Sequence, residues 1–347
     1  MHFRLATIVL AGSMLTCAAG VRAGPVQDVS PERVEATLRS LPTKRAALGD
    51  EEHVKGLRQT EKLLTEKLRE IGYDPIVQKI EWVSPVQRLN SAEKDTAREG
   101  PPPEFWNNLI VEIKGGEFAS EVVLIGAHFD AVAQCPGADD NGTGTAALVE
   151  LARVLRDHPM KRTVRLVFFN LEEIGLIGSR HHAATQAAER PDERIVAMVS
   201  LEMLGYFCLE EGCQKSPVGP IKGVFEPPTK GDTLAAVTIS AHQEFNRRFS
   251  EGFEAGSDGI KITRFDFMPV PIPDILRSDH APFLAQGVPS IMLTDTSNFR
   301  NPHYHKPTDT IETLDMDRYV RSVRGVVSAT LALAEEIDAA SPDADAK

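Results

Sequence analysis

The sequence has few cysteines, a deficit of basic residues and almost no long apolar runs. It contains 4 cysteines in 347 residues, and its 38 Lys and Arg are outnumbered by 50 Asp and Glu, giving a net charge of −12. This acidity, without any Lys/Arg cluster, argues against a nucleic-acid partner. Repeats and low-complexity tracts are also absent. Hydrophobic residues make up 42% of the chain, which is enough for one large α/β domain or two small ones.

The one apolar run of note lies at the N-terminus and has the pattern of a secretory signal peptide. A basic start ending at Arg4 precedes an apolar core at residues 5–15, and Val21-Arg-Ala23 is a small-x-small cleavage site. The core is too short to be an anchor, and no other segment is apolar enough to cross a membrane. We therefore predict a signal peptide (1–23), a secreted or periplasmic protein without a membrane anchor after cleavage, a single domain (24–338) and a disordered tail (339–347).

Four apolar runs predict buried strands, and metal-binding residue types follow each of them. The runs are 121–126, 164–169, 195–201 and 289–294. In an open parallel sheet the carboxyl ends of the strands lie along one edge, so the side chains just beyond those ends can converge. Two imidazoles with several carboxylates, and no thiolate, form a donor set that suits zinc. The candidates are His128, Asp130, Asp140, Glu172, Glu173, Glu202 and His305.

The remaining pattern predicts an α/β fold, with a mostly parallel central sheet flanked by helices on both faces. Helices are predicted near 31–38, 51–72, 146–155 and 322–337, and further strands near 74–82 and 107–114. Residues 91–103, charged and ending in three prolines, are typical of an exposed loop. Two Gly- and Pro-rich segments, 206–235 and 252–276, are predicted to form loops over the rim of the site.

Six short motifs, taken in order, resemble the secreted dizinc aminopeptidases, whose relatives include glutamate carboxypeptidase and the glutaminyl cyclases. The resemblance covers roughly residues 50 to 335 and implies the three-layer fold of the zinc-dependent exopeptidases. The motifs are Ala127-His-Phe-Asp130, Gly137-Ala-Asp-Asp-Asn-Gly-Thr-Gly144, Glu172-Glu173 with the following Gly-Leu-Ile-Gly-Ser, Leu201-Glu-Met203, Ser278-Asp-His280, and Tyr304-His305 with the following Lys-Pro-Thr-Asp309.

The resemblance also implies a role for each candidate. His128 and Glu202 would bind one zinc, Glu173 and His305 the other, and Asp140 would bridge the two ions. Glu172 would act as general base on a metal-bridging hydroxide, then as general acid. Asp130 would accept the second ring N–H of His128 and fix its tautomer. The chain departs from the commonest pattern at Glu202, where aspartate is more usual.

The reaction implied is hydrolysis of the N-terminal peptide bond of peptides, with two zinc ions per chain. A glutaminyl-peptide cyclotransferase of the same fold, normally with one zinc, remains an alternative. A metallocarboxypeptidase is another, and it would need a cation such as Arg277 or Arg300 for the substrate carboxylate. A non-catalytic protein is disfavoured because all five ligands and the base are present. The sequence does not indicate an oligomeric state.

Two covalent features are also predicted. Cys208 and Cys213 are close in the sequence, so in an oxidising compartment they would form a local disulfide after Glu202 and leave Cys135 free. The family resemblance implies a cis peptide bond between Asp140 and Asn141.

Overall fold

The computed structural model describes residues 24–83 and 104–335. The predicted signal peptide, the predicted loop at 91–103 and the predicted tail at 339–347 lie outside these ranges. Within them, eight strands form one sheet in the order β1-β2-β4-β3-β5-β8-β6-β7. The strands are β1 Ile76–Trp82, β2 Glu104–Ile113, β3 Phe118–His128, β4 Arg162–Phe169, β5 Arg194–Glu202, β6 Leu234–Val237, β7 Ile262–Phe265 and β8 Ser290–Thr294.

Helices of the described residues accompany the sheet, and the second of them has recognisable start and stop signals. The Asp50 side chain accepts a hydrogen bond from the His53 backbone N–H at the start of the second helix, and Gly72, with φ 107°, ends that helix. None of these helices is long and apolar enough to cross a membrane. They are α1 Pro31–Ser40, α2 Glu51–Ile71, α3 Gly144–Leu155, α4 Ile177–Glu189, α5 Gln243–Gly256, the single turn α6 Ala281–Leu284, and α7 Met316–Glu335.

The middle of the sheet is parallel, as the apolar runs predicted. Strand β3 pairs in parallel with β4 and β5, and β5 pairs in parallel with β8. Antiparallel pairs occur between β1, β2 and β4 and between β6 and β8. Every residue of β4 is buried, which is expected when both faces of a strand are covered.

Helices cover both faces, and alternate residues of β3 show this. Val123 and Ile125 lie in the large core that also holds Leu64 of α2 and Val326 of α7. Leu124 faces the other side, in a smaller cluster with residues of α4 and α6. The predicted three-layer arrangement is therefore confirmed.

The prediction of loops over the rim was wrong in part. Strand β6 begins at Leu234, residues 252–256 complete α5, and β7 occupies part of the second segment. Helix α5 buries Asn246 and Ser250 alongside two phenylalanines, so polar residues interrupt its apolar period. Strands β6 and β7 have only four residues each, too few for a clear pattern.

Candidate metal centre

The predicted ligands meet at the carboxyl edge of the sheet, in two clusters that share Asp140. In the first, His128 Nε2 lies 3.4 Å from Asp140 Oδ1 and 3.5 Å from Glu202 Oε2. In the second, His305 Nε2 lies 3.0 Å from Asp140 Oδ2 and 3.2 Å from Glu173 Oε2. Each carboxylate oxygen of Asp140 therefore faces a different imidazole.

Glu172 lies beside the first cluster, slightly farther out. Its Oε2 is 3.9 Å from His128 Nε2. Glu172 and Glu173 come shortly after β4, and the Asp130 carboxylate accepts hydrogen bonds from both of their backbone N–H groups, at 3.1 and 3.2 Å. One aspartate thereby fixes the backbone of both glutamates.

Asp130 contacts His128 in a different way from that implied by the resemblance. The hydrogen-bonding neighbour of His128 Nδ1 is the Asp130 backbone oxygen, at 3.1 Å, while the Asp130 carboxylate is 3.5 Å away. A backbone oxygen only accepts, so this contact assigns the proton to Nδ1 and leaves Nε2 free to act as a ligand.

The loop that carries Asp140 is held by hydrogen bonds to its backbone. Asp309 accepts from the Asp139 N–H at 2.9 Å and from the Asp140 N–H at 3.2 Å. The Asn141 side chain accepts from the backbone N–H of Met203, at 3.2 Å, just beyond Glu202. The Asp140–Asn141 peptide bond is cis, as predicted.

Glu202 has its own support from its own strand, β5, and from the loop that carries Ser278. Ser278 donates a hydrogen bond to Glu202 Oε2 at 2.7 Å, and the hydroxyl of Ser200 lies 2.8 Å from that of Ser278. Since all three side chains are buried, this chain of contacts fixes the orientation of the carboxylate. Ser278 of the Ser-Asp-His motif thus supports the candidate centre.

Left-handed backbone geometry accompanies three of the candidates. Leu171, before Glu172, has φ 61°, Met203, after Glu202, has φ 54°, and His305 itself has φ 56°. A residue other than glycine in this region costs about 1–3 kcal/mol and persists where surrounding contacts enforce it, often at functional sites.

Burial and mutual charge shift the pKa values of the cluster. Burial raises the pKa of Glu172 well above its usual range, and burial together with the charge of Asp140 raises the pKa of Glu173 to about 7. Burial also acts to raise the pKa of Asp140, but hydrogen bonds from His128 and His305 lower it. For His305, burial favours a lower pKa, yet the hydrogen bonds to Asp140 and Glu173 raise it to about 10.

The donor atoms fit divalent metal ions. Within the described residues, the groups able to hold an ion are His128 with Asp140 and Glu173, and His128 with Glu172 and Glu202. Glu173 Oε1 is buried and has no hydrogen-bond partner among these residues, an arrangement that is costly unless a cation faces the oxygen. Imidazole and carboxylate donors without thiolate suit zinc.

The sequence alone indicated no role for Tyr304, although it directly precedes His305. The two rings stack, with centroids 3.8 Å apart and planes inclined by 21°. Arg277 Nη2 donates a hydrogen bond to the Tyr304 hydroxyl at 3.0 Å. Position next to a predicted ligand was the only signal for Tyr304 in the sequence.

The two candidate arginines have different environments. Arg300 is buried and donates to Gln214 Oε1 at 2.6 Å and to the Thr233 backbone oxygen at 2.7 Å. Arg277 lies in a cleft beside Glu202 and Tyr304. Of the two, Arg277 alone has the exposure that contact with a substrate requires.

The predicted disulfide is present near this cleft. Cys208 and Cys213 are bonded, and Cys135 is free and buried. The bonded loop directly precedes Gln214, which lines the cleft.

Comparison with known proteins identifies relatives that are similar to this chain in sequence. YfbL of Escherichia coli is 30% identical over 316 residues, which cover 87% of this chain and 88% of YfbL. The aminopeptidase YwaD of Bacillus subtilis is 28% identical over 207 residues, 57% of this chain but only 38% of YwaD. The chain thus spans nearly all of one relative and well under half of the other.

Solved structures show the same fold at low sequence identity. BSAP, a zinc aminopeptidase from Bacillus subtilis, superposes with a TM-score of 0.64 at 16% identity, covering 89% of this chain and 96% of BSAP. The glutaminyl cyclase of Fimbriiglobus ruber gives 0.60 at 17% identity, covering 88% and 96%. The model of Peptidase family M28 matches residues 108–330, more than half of the chain and the region that holds every candidate ligand. The chain therefore belongs to Peptidase family M28.

Proposed function

We propose that this peptidase is a zinc-dependent aminopeptidase that binds two zinc ions per chain and releases the N-terminal residue of peptides. The observation that carries the proposal is Asp140, whose two oxygens face the imidazoles of His128 and His305 at 3.4 and 3.0 Å. A carboxylate shared in this way suits two adjacent ions. The aminopeptidases among the relatives support the same reaction.

The five ligands divide between the ions as the two clusters do. His128 and Glu202 would hold the first ion, His305 and Glu173 would hold the second, and Asp140 would contribute to both. Bound zinc would supply Lewis acidity toward the substrate carbonyl and would lower the pKa of water toward neutrality.

Glu172 is the proposed general base: it groups with His128 and Glu202, but its Oε2 lies 3.9 Å from His128 Nε2, farther than Glu202 Oε2 at 3.5 Å. It takes a proton from the attacking water and returns it to the leaving amine. Asp130 fixes the backbone of both glutamates, while Glu172 Oε2 faces His128 and Glu173 Oε2 faces His305, so the adjacent carboxylates can perform different tasks. The substrate is a peptide, and the predicted signal peptide favours a secreted or periplasmic location.

A metal analysis combined with a peptide panel tests this proposal. The chain without residues 1–23 should bind two zinc ions and release leucine from Leu-Ala-NH₂. It should not cleave N-acetyl-Leu-Ala, because an aminopeptidase requires a free amine. Cleavage of the acetylated peptide with no action on the amide would identify a carboxypeptidase and contradict the proposal.

The cyclotransferase alternative predicts a different product. An N-terminal glutamine peptide would be converted to its pyroglutamyl form with loss of ammonia, and one zinc would suffice. Mass spectrometry separates the two reactions, because hydrolysis releases a free amino acid. The two-cluster geometry around Asp140 favours the peptidase.

A further inference from the structure

A cleft with about 860 Å³ of empty space, part of it open to solvent, lies beside the candidate metal centre. Glu202 and Tyr304 line it next to the centre, and its walls include the apolar residues Val237, Phe265 and Met292. These three residues belong to a separate apolar cluster beneath the cleft. A substrate group that enters the cleft therefore meets apolar walls close to the site of hydrolysis.

Three cations of the described residues line this cleft: Lys215, Arg277 and Arg300. The donors of Arg300 are directed at neutral oxygens of the protein in a buried setting. Lys215 donates to the Gly212 backbone oxygen at an exposed position. Arg277 differs from both because it contacts a residue of the metal centre's rim.

Arg277 is only partly paired within the protein. It donates hydrogen bonds to two neutral groups, Asn298 Oδ1 at 2.6 Å and the Tyr304 hydroxyl at 3.0 Å. It also forms an ion pair with Asp274 at 3.5 Å, but 34% of the Arg277 side chain and 38% of the Asp274 side chain are exposed, so the guanidinium remains accessible from the cleft. The guanidinium carbon lies 5.5 Å from the centre of the Tyr304 ring, which in turn stacks on His305. One aromatic ring thus separates this cation from a candidate zinc ligand.

We propose that Arg277 binds a carboxylate of the peptide substrate and so determines which peptides are preferred. A guanidinium matches a carboxylate with paired hydrogen bonds, and the apolar walls strengthen the attraction relative to open water. The inference rests on the proposed peptidase function. Two sources of the carboxylate fit this chemistry: the C-terminus of a dipeptide, or an acidic side chain on the N-terminal residue.

Matched substrate pairs distinguish the two sources. The first pair is Leu-Ala against Leu-Ala-NH₂, which differ only in the C-terminal carboxylate. The second is Asp-Ala-NH₂ against Asn-Ala-NH₂, which differ only in the side-chain carboxylate. We expect kcat/KM of the zinc-loaded enzyme to favour the charged member of one pair by about 10- to 100-fold, the usual range for a charge-assisted hydrogen bond.

The variant Arg277→Gln should bring that preference close to unity, whereas the matched Lys215→Gln, which removes another cation of the cleft, should keep it. Zinc content and melting temperature of each variant show that the change is not a folding defect. Arg277→Lys keeps the charge without the planar fork and should retain a reduced preference. It serves as the second variant if Arg277→Gln does not fold.

Preferences near unity for both pairs, while Leu-Ala-NH₂ is still hydrolysed, would overturn the role of Arg277 and leave the aminopeptidase proposal intact. A preference that survives in Arg277→Gln, or that disappears equally in Lys215→Gln, would also overturn it. If the zinc-loaded enzyme hydrolyses none of the four peptides, both proposals fail.

Discussion

At the scale of single residues, the carboxylates of the adjacent residues Glu172 and Glu173 have different surroundings. Glu173 Oε2 lies 3.2 Å from His305, and its other oxygen is buried without a hydrogen-bond partner in the described structure. Glu172 stands 3.9 Å from His128. We therefore propose Glu173 as a metal ligand and Glu172 as the general base.

The variants Glu172→Gln and Glu173→Gln should therefore fail in different ways. Glu172→Gln should keep its zinc and its fold while kcat falls by about 10²–10⁴-fold, the usual contribution of a general base. KM should change little, because the lost interaction belongs to the transition state. Glu173→Gln should lose zinc and activity together, and added zinc should partly restore it.

Metal content after gel filtration and steady-state kinetics provide the measurement. The assignment would be reversed if Glu172→Gln lost zinc while Glu173→Gln retained it. Wild-type turnover in Glu172→Gln would remove the general-base role altogether.

At the scale of secondary-structure elements, a buried arginine joins the sheet to α4. The Arg165 side chain on β4 is fully buried, and its Nε donates to Glu112 Oε1 on β2 at 2.8 Å. Further donors reach Gln186 Oε1 of α4, at 2.6 Å, and Glu193 just before β5. Four elements therefore depend on one guanidinium.

Replacing Arg165 should be costly because it removes a fully buried donor to two carboxylates, although Lys114 and Arg190 still pair with both Glu112 and Glu193. Arg165→Met should lower the free energy of unfolding by about 1.5–3 kcal/mol, the range for a hydrogen bond to a charged group. The control is Arg194→Met, which removes a mostly exposed partner of Glu121 and should cost less than about 1 kcal/mol. Urea denaturation measures both variants, and equal losses would contradict the special role of Arg165.

The same network gives a pH dependence of stability. Burial acts to raise the pKa of Glu112 and of Glu193, but Lys114 and Arg165 at Glu112, and Arg165 at Glu193, lower both values below 4.5. A carboxyl with a lowered folded-state pKa contributes its stability above the unfolded value, and that stability is lost as pH falls through the folded value. Unfolding free energy should therefore decrease below about pH 4.5, and less steeply in Arg165→Met.

The disulfide between Cys208 and Cys213 closes a single short loop. With residues 1–23 removed, three cysteines remain, two of them bonded and Cys135 buried. A thiol reagent should find none in the native protein and one per chain after denaturation without reductant. Three thiols in the denatured, non-reduced sample would disprove the bridge.

At the scale of the whole molecule, the N-terminal segment is tied to the metal centre. Arg45 lies between α1 and α2, outside the M28 match, and is only 2% exposed. It donates to the backbone oxygens of Phe129, at 2.9 Å, Pro136, at 2.5 Å, and Gly137. These oxygens bracket the loop that connects His128 to Asp140.

Arg45→Met should therefore weaken zinc binding as well as stability, because three carbonyls lose their donor and the loop loses its anchor. The matched control is Arg33→Met, which breaks an ion pair with Glu150, 3% exposed, without contacting that loop. Both variants should unfold more readily, but only Arg45→Met should release zinc to a weaker chelator. Equal zinc affinities in the two variants would show that Arg45 has a general structural role.

The sequence by itself determined six of the eight strands of the described sheet, their order along the chain and the residue types at the ends of the central ones, but not the short strands β6 and β7. An apolar run such as 164–169 is typical of a strand in a parallel sheet, because such a strand is buried on both faces and has no polar side. The parallel arrangement then brings the residues at the carboxyl ends of these strands to one edge. Local signals of this kind suffice for the fold class, the convergence of the candidate ligands and the disulfide.

The tertiary structure alone decided the contacts that depend on distant parts of the chain. Arg277 and Arg300 are equivalent in the sequence and both line the cleft, yet packing buries Arg300 against neutral oxygens and leaves Arg277 partly exposed. The carboxylate of Asp130 reaches two backbone N–H groups more than forty residues away, and Arg45 reaches a loop more than eighty residues away. Such contacts arise from the closure of long loops around a packed core, and no pattern within a short window of sequence encodes them.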